Sequence, residues 1–231
     1  RGEDISIDIR GGTDLLRTTA DSILPEAACT STQFHVQTPP ERFAAYWNAS
    51  QAIAGVQLAL GANSPFLFGR RLWRETRIAL FQQATDTRGE ELKEQGVRPR
   101  VWFGERWITS VFDLLEENVR YFPALLPEIS DEEPEDVFER GEVPELKELR
   151  LHNGTVYRWN RPCYGITDGR PHLRIEHRPL PSGPTVIDEV ANAALLLGLI
   201  LGVERTWGDV RTRMSFSDVR GNFVAGARYG L

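Results

Sequence analysis

His172-Leu173-Arg174-Ile175-Glu176-His177-Arg178 decides how the rest of the chain is read. A strand alternates its side chains, so His172, Arg174, Glu176 and Arg178 share one face. Leu173 and Ile175 take the other face, the one expected on a core. Asp168-Gly169, just upstream, is a turn signal, and Thr155–Gly165 before it reads as the partner strand. The expectation is an antiparallel hairpin of Thr155–Gly165 and Pro171–Leu180. Its polar face has two readings. A carboxylate between guanidiniums is ordinarily a surface ion-pair ladder worth little. The same pattern suits a carboxylate for a divalent metal, flanked by arginines that neutralise phosphate.

Working outward, Ile5, Ile7 and Ile9 alternate with polar residues in a strand over Glu3–Arg10, which Gly11-Gly12 ends. Ser31–Gln37 is the second expected strand. There Gln33, His35 and Gln37 face one way and Phe34 and Val36 the other, as on a wet sheet face or in a polar site. Thr38-Pro39-Pro40-Glu41 reads as a capping box opening a helix to about Leu60, with Phe43, Trp47, Ile53 and Val56 buried. Leu72–Gln83 and Ser110–Leu126 read as helices, and Arg98–Phe103 as a short strand or loop. Thr185 and Asp188 open a helix to about Gly202. It is apolar nearly all round and is expected to be buried. A last helix covers Ser215–Leu231. No strand–glycine-rich loop–helix unit occurs, which points to an α+β fold.

The 231 residues suffice for one large domain or two small ones, and 41% hydrophobic with 26% charged is the make-up of a soluble globular protein. The net charge of -6 argues against a nucleic-acid partner. The charge is uneven. Leu126–Glu148 holds ten acids and two bases, so it carries -8 and leaves +2 for the rest. Pro127, Pro134 and Pro144 interrupt this stretch, which reads as a solvated connection with at most one short helix. Cys29 and Cys163 allow one bridge at most. With no signal peptide visible, a reduced cytoplasmic setting is expected. The apolar run Ala193–Val203 falls short of the roughly 20 residues a membrane span needs, so no membrane partner is expected.

No P-loop, dinucleotide fingerprint, CxxC, HExxH or GxSxG pattern occurs. Arg70-Arg71-Leu72-Trp73-Arg74-Glu75-Thr76-Arg77 is a basic cluster at an expected helix start, where positive charge opposes the dipole. That misfit suggests arginines facing an anion. In Tyr157–Arg161, alternation puts Tyr157, Trp159 and Arg161 on one face and Arg158 and Asn160 on the other. This suits a sheet edge or a nucleotide pocket equally.

Ala28-Cys29-Thr30-Ser31-Thr32-Gln33-Phe34-His35-Val36, then Ala62-Asn63-Ser64-Pro65-Phe66, resemble the bacterial and plant branch of the glutamate–cysteine ligase family. Trp73–Arg77 resembles its W-[RK]-S-x-R element, and His172–Arg178 its L-x-E-x-R strand. Asn222–Leu231 resembles the N-x-x-x-A-x-R-Y-G-L helix of related carboxylate–amine ligases. The resemblance implies a single ligase-like domain over residues 1–231. Its sheet would be curved and antiparallel, glutamine synthetase-like, with helices on the outer face and the site in the concave one. It implies ATP and Mg²⁺, phosphorylation of the γ-carboxylate of glutamate, and attack by an amine such as that of cysteine. It puts Glu176 on a metal ligand with His35 beside it, and Arg178 and Arg174 at the transferred phosphoryl group. Arg77, Trp73 and Gln33 fall to the substrate, and Arg161, Asn160 and Arg228 to the nucleotide. The partners it implies are small molecules, with a homo-oligomer left open.

Departures accompany the resemblance. The family's opening G-x-E-x-E metal strand has no counterpart, and Gly2-Glu3-Asp4 is a poor substitute. Thr30 stands where several relatives carry arginine. Glu176 alone is too few carboxylates for the several Mg²⁺ ions such enzymes use. The chain therefore reads as the central and later part of a longer ligase-like protein, inactive by itself. Two alternatives stand beside this reading: a non-catalytic sensor of nucleotide or amino acid, and a partner-binding domain with merely solvated arginines.

Overall fold

A computed structural model describes residues 4–231. Gly2 and Glu3, including the start of the expected first strand, lie outside the described residues. In chain order the elements are β1 (Ile5–Arg10), β2 (Leu15–Ala20), α1 (Leu24–Ala27), β3 (Phe34–Thr38), α2 (Phe43–Gly61), β4 (Phe66–Leu67), β5 (Arg70–Arg71), α3 (Thr76–Ala84) and α4 (Glu90–Glu94). There follow β6 (Val101–Trp102), α5 (Val111–Tyr121), α6 (Pro134–Glu139), α7 (Lys147–Gly154), β7 (Tyr157–Arg158), β8 (Asn160–Thr167), β9 (Arg170–His177), α8 (Val186–Trp207) and α9 (Phe216–Tyr229). The class is α+β, as the sequence indicates. The strands form small open sheets rather than one broad curved surface.

The sheet that carries the candidate site has three antiparallel strands in the order β3-β9-β8. β8 and β9 form the hairpin read from the sequence. Its two-residue turn places both Asp168 and Gly169 at positive φ, which Asp-Gly tolerates best. One face of the sheet is apolar and packs on α2. Behind it lies the main core, where Phe43, Trp47, Ile108, Leu114, Ile175, Phe216 and Phe223 are buried together. α9 crosses α2 at a glycine contact: a Cβ on Gly226 would sit 2.4 Å from the Gly55 carbonyl oxygen. Only glycine permits that approach.

Several expectations are corrected. β2 was not foreseen, because only Leu16 on it is buried and Arg17-Thr18-Thr19 carries no apolar alternation. Thr38 does not cap α2. It stays in β3, its hydroxyl donating to the Val36 carbonyl, and a 3₁₀ turn at Pro40–Arg42 precedes a helix without a side-chain cap. Val56 is exposed on that helix. α3 begins only at Thr76, because Phe66–Arg71 makes a small hairpin turning at Phe68-Gly69. Arg70 and Arg71 are therefore exposed strand residues, not a helix start. The expected cap at Thr185 does form, and Ser110 and Ser215 cap α5 and α9 in the same way.

Two long segments differ in outcome, and one of them is a correction. α8 is not buried all round: only Leu196, Ile200 and Val203 are, while Val186, Ile187, Val190, Leu197 and Leu201 are exposed. At 22 residues and mean hydropathy 1.9 it is long and apolar enough to cross a membrane by length and composition, unlike the shorter run read from the sequence. The acidic connection is largely exposed and holds one short helix, as expected, but it is not loose. It contains α6 and leads into α7, and it is tied down: Glu132 accepts N–H bonds from Glu145 and Leu146, Glu148 from Ser130, and Tyr164 Oη donates to the Pro144 carbonyl.

Candidate functional site

The polar face of the β3-β9-β8 sheet follows from register. His35, Glu176 and Arg161 form one row across the strands, and Gln37, Arg174 and Cys163 the next. Glu176 is almost wholly buried, and Arg161 Nε donates to its Oε2 at 2.6 Å. His35 Nε2 lies 3.7 Å from Oε1. Burial lowers the His35 pKa more than Glu176 raises it, and Arg174, Arg161 and Arg178 lower it further. The imidazole is thus neutral near pH 7, and its contact with Glu176 is not an ion pair. The Cys163 thiol, 3.8 Å from Glu176 Oε2, is pushed up by burial and stays protonated. Gly165 leaves room on this face: a Cβ there would meet His172 Nε2 at 2.9 Å and Arg174 Nη2 at 3.3 Å.

The charge on the face does not balance. Arg161, Arg174 and Arg178 stand against Glu176 alone. Arg174 Nε and Arg178 Nη1 are buried with no hydrogen-bond partner. Burial, and then the neighbouring Arg161, hold the Arg178 pKa below its ordinary value. Buried donors without acceptors are costly, and an anion placed among them relieves that cost. Beside β8 a cavity of about 180 Å³ is lined by Arg161, Cys163, Arg174, Leu115, Leu149 and Arg150. Arg161 is braced from behind by its Nη1 bond to the Gly154 carbonyl at the end of α7.

The other expected site residues lie elsewhere. Asn160 is fully buried on the core face, opposite Arg161. It donates to Gln51 Oε1 at 2.6 Å, and its carbonyl accepts from Trp47 Nε1. The alternation read across Tyr157–Arg161 fails at Trp159. There the chain leaves β7, paired with β6, and enters β8, so Trp159 is in the core while Arg161 is on the polar face. Arg77 is buried: its Nε donates to Glu75 Oε1 at 3.0 Å, and an Nη donates to the Pro179 carbonyl. Trp73 donates to the Arg10 carbonyl, and Arg228 lies over its ring at 5.8 Å from the centroid. Gln33 is exposed just before β3, its amide 3.5 Å from the Ser31 hydroxyl. Arg178, Arg174, Arg161, Glu176 and His35 come together. Cys163 was missed, although counting in twos from Arg161 along the strand finds it.

A metal fits these residues poorly. Among the described residues no three His, Cys, Asp or Glu side chains assemble as a ligand set. Glu176 and His35 make only a pair, and Glu176 is already engaged by Arg161. Both cysteines are free, and burial pushes Cys29 up to about 12.

The model of glutamate-cysteine ligase family 2 (GCS2) matches residues 17–231, and the chain belongs to that family. No curated protein and no solved structure gives a significant match.

Proposed function

We propose that this chain carries part of the site of an ATP-dependent carboxylate–amine ligase, which activates the γ-carboxylate of glutamate as an acyl phosphate for attack by an amine such as that of cysteine. The observation that carries the reading is the convergence of Arg161, Arg174 and Arg178 on a half-buried face with one carboxylate. Phosphoryl transfer asks a protein mainly to position the reactants and to neutralise charge. Arg178 and Arg174 would take up phosphate charge with the donors that lack acceptors. Arg161 would hold Glu176, and Glu176 would keep the arginines apart and oriented. Neutral His35 could donate to a phosphate oxygen or accept from a substrate ammonium. Membership in the ligase family supports the reaction class. Among the described residues, Glu176 and His35 do not make a ligand set for Mg²⁺.

The test is ADP release by the full-length protein with ATP, glutamate and a panel of amines. Glutamate-dependent release, reduced at least about 100-fold in Arg178→Ala, is expected if that guanidinium stabilises the transition state by roughly 2.7 kcal/mol or more. No glutamate-dependent release would end the ligase reading. The single carboxylate favours a second reading, a domain that binds nucleotide or amino acid without turnover. Saturable ATP binding with no ADP formed would select it.

A further inference from the structure

α5 buries Leu114 in the main core, yet its other buried side chains are polar. It buries Glu117 and Asn118 against Arg158 and Asn153, and turns Phe112 and Val119 to solvent, 70% and 78% exposed. Phe112, Leu115 and Val119 recur at the spacing of one helical stripe. Beside the stripe, Leu125, Leu126 and Ile129 are exposed, Ile129 at 89%. Leu149 and Leu151 of α7 close the far side, and with Leu115, Val119, Leu126 and Ile129 they line a groove of about 480 Å³. Contiguous apolar surface with a polar rim marks an interaction site, whereas scattered exposed apolar residues do not.

The wall of the groove is acidic. Glu128 and Glu148 line it, and they belong to the connection Leu126–Glu148, whose charge is -8. The wall is held in shape by the Glu132, Glu148 and Tyr164 bonds described above. An apolar floor under an anionic wall is complementary to a segment with an apolar stripe and basic flanks. We propose that this groove docks a basic amphipathic helix of a partner protein. Its apolar side chains would sit between α5 and α7, and its Lys and Arg side chains would face the acidic wall. The occupant would lie against α7, whose last carbonyl braces Arg161.

The experiment is fluorescence anisotropy of the full chain with a labelled helical peptide carrying a leucine stripe and lysine flanks. A peptide with glutamate in place of lysine is the counterpart. Micromolar binding of the basic peptide alone is expected. Val119→Asn with Ile129→Asn should weaken it about tenfold or more, a loss of at least about 1.4 kcal/mol. Glu128→Lys should weaken it as well. All three side chains are exposed, so circular dichroism should show unchanged folding. Val190→Asn, on the exposed face of α8, should leave binding intact. The proposal is overturned if the acidic peptide binds equally, if only the α8 variant loses binding, or if neither peptide binds. It is also overturned if sedimentation shows a dimer that the groove variants dissolve, because the occupant is then a second copy.

Discussion

His177 shows what a single residue does behind the site. It is fully buried on the core face, directly next to Glu176 in β9, and its Nδ1 lies 2.6 Å from Asn160 Oδ1. The Asn160 amide nitrogen already donates to Gln51, so its oxygen must accept and Nδ1 must carry the proton. Nε2 is buried without a partner. A second proton there would find no acceptor, and burial accordingly lowers the pKa to about 3 from an ordinary 6.5. The unfolded chain takes up a proton below about pH 6.5, whereas the folded chain takes it up only near 3. His177 therefore contributes full stability above pH 6.5, and that contribution is lost as pH falls from there toward 3. The slope is at most about 1.4 kcal/mol per pH unit. Urea unfolding between about pH 6.5 and pH 5 should show a loss of roughly 2 kcal/mol from this group. His177→Gln should be less stable at neutral pH and correspondingly flatter. Parallel pH profiles for the two proteins would refute the assignment. Asn160 belongs to the same network, so its burial answers to a core requirement that no motif reveals.

At the scale of elements, α5 is held by a polar network beside its one fully buried leucine, Leu114. Glu117 Oε2 lies 3.0 Å from Arg158 Nη2, with the two side chains 4% and 0% exposed. Asn118 Oδ1 accepts from Arg158, Asn118 donates to Asn153, and Asn153 donates to the Pro162 carbonyl, so α5, α7, β7 and β8 are joined. Removing one member of a buried pair strands the other, which costs about 3–5 kcal/mol. Arg158→Met should destabilise the protein by that amount in urea unfolding. Adding Glu117→Gln should recover much of it, because the stranded charge is gone. If the double variant is as unstable as the single one, the pair is not the cause. This also marks where the sequence stops being legible. Alternation along His172–Arg178 gave both faces of β9 correctly, because a strand in a one-sided sheet must obey it. The 3.6-residue pattern of α5 and α8 identified helices but not which side was covered. A helix with Leu on several sides is buried only where neighbours happen to lie, and on α8 they reach Leu196, Ile200 and Val203 alone. Thr38 looked like a cap because its alternative, the last residue of a strand, depends on pairing with Leu173 far along the chain.

For the whole molecule, charge is sorted by location. The net charge is -6, yet three arginines face one carboxylate on the sheet, and the acids concentrate in Leu126–Glu148. That connection docks against β8 through Tyr164, and Glu132 and Glu145 help hold the Tyr164 hydroxyl above its ordinary pKa, after burial. An incoming polyanion therefore meets opposing influences. The distant field of the molecule repels it, and the guanidiniums of the face attract it at contact. Salt acts on these unequally: the screening length is about 10 Å at 0.1 M, so exposed, distant charges fade while half-buried contacts persist. If ATP binds the sheet face as proposed, its affinity should change by no more than about threefold between roughly 0.05 and 0.3 M salt. Arg161→Ala should weaken it about tenfold or more at every salt concentration, because that side chain both faces the anion and orients Glu176. Isothermal titration across the salt series separates the possibilities. A steep fall in wild-type affinity with salt, or an Arg161→Ala loss that vanishes at high salt, would mean that exposed arginines such as Arg70 and Arg71 hold the nucleotide instead of the sheet face.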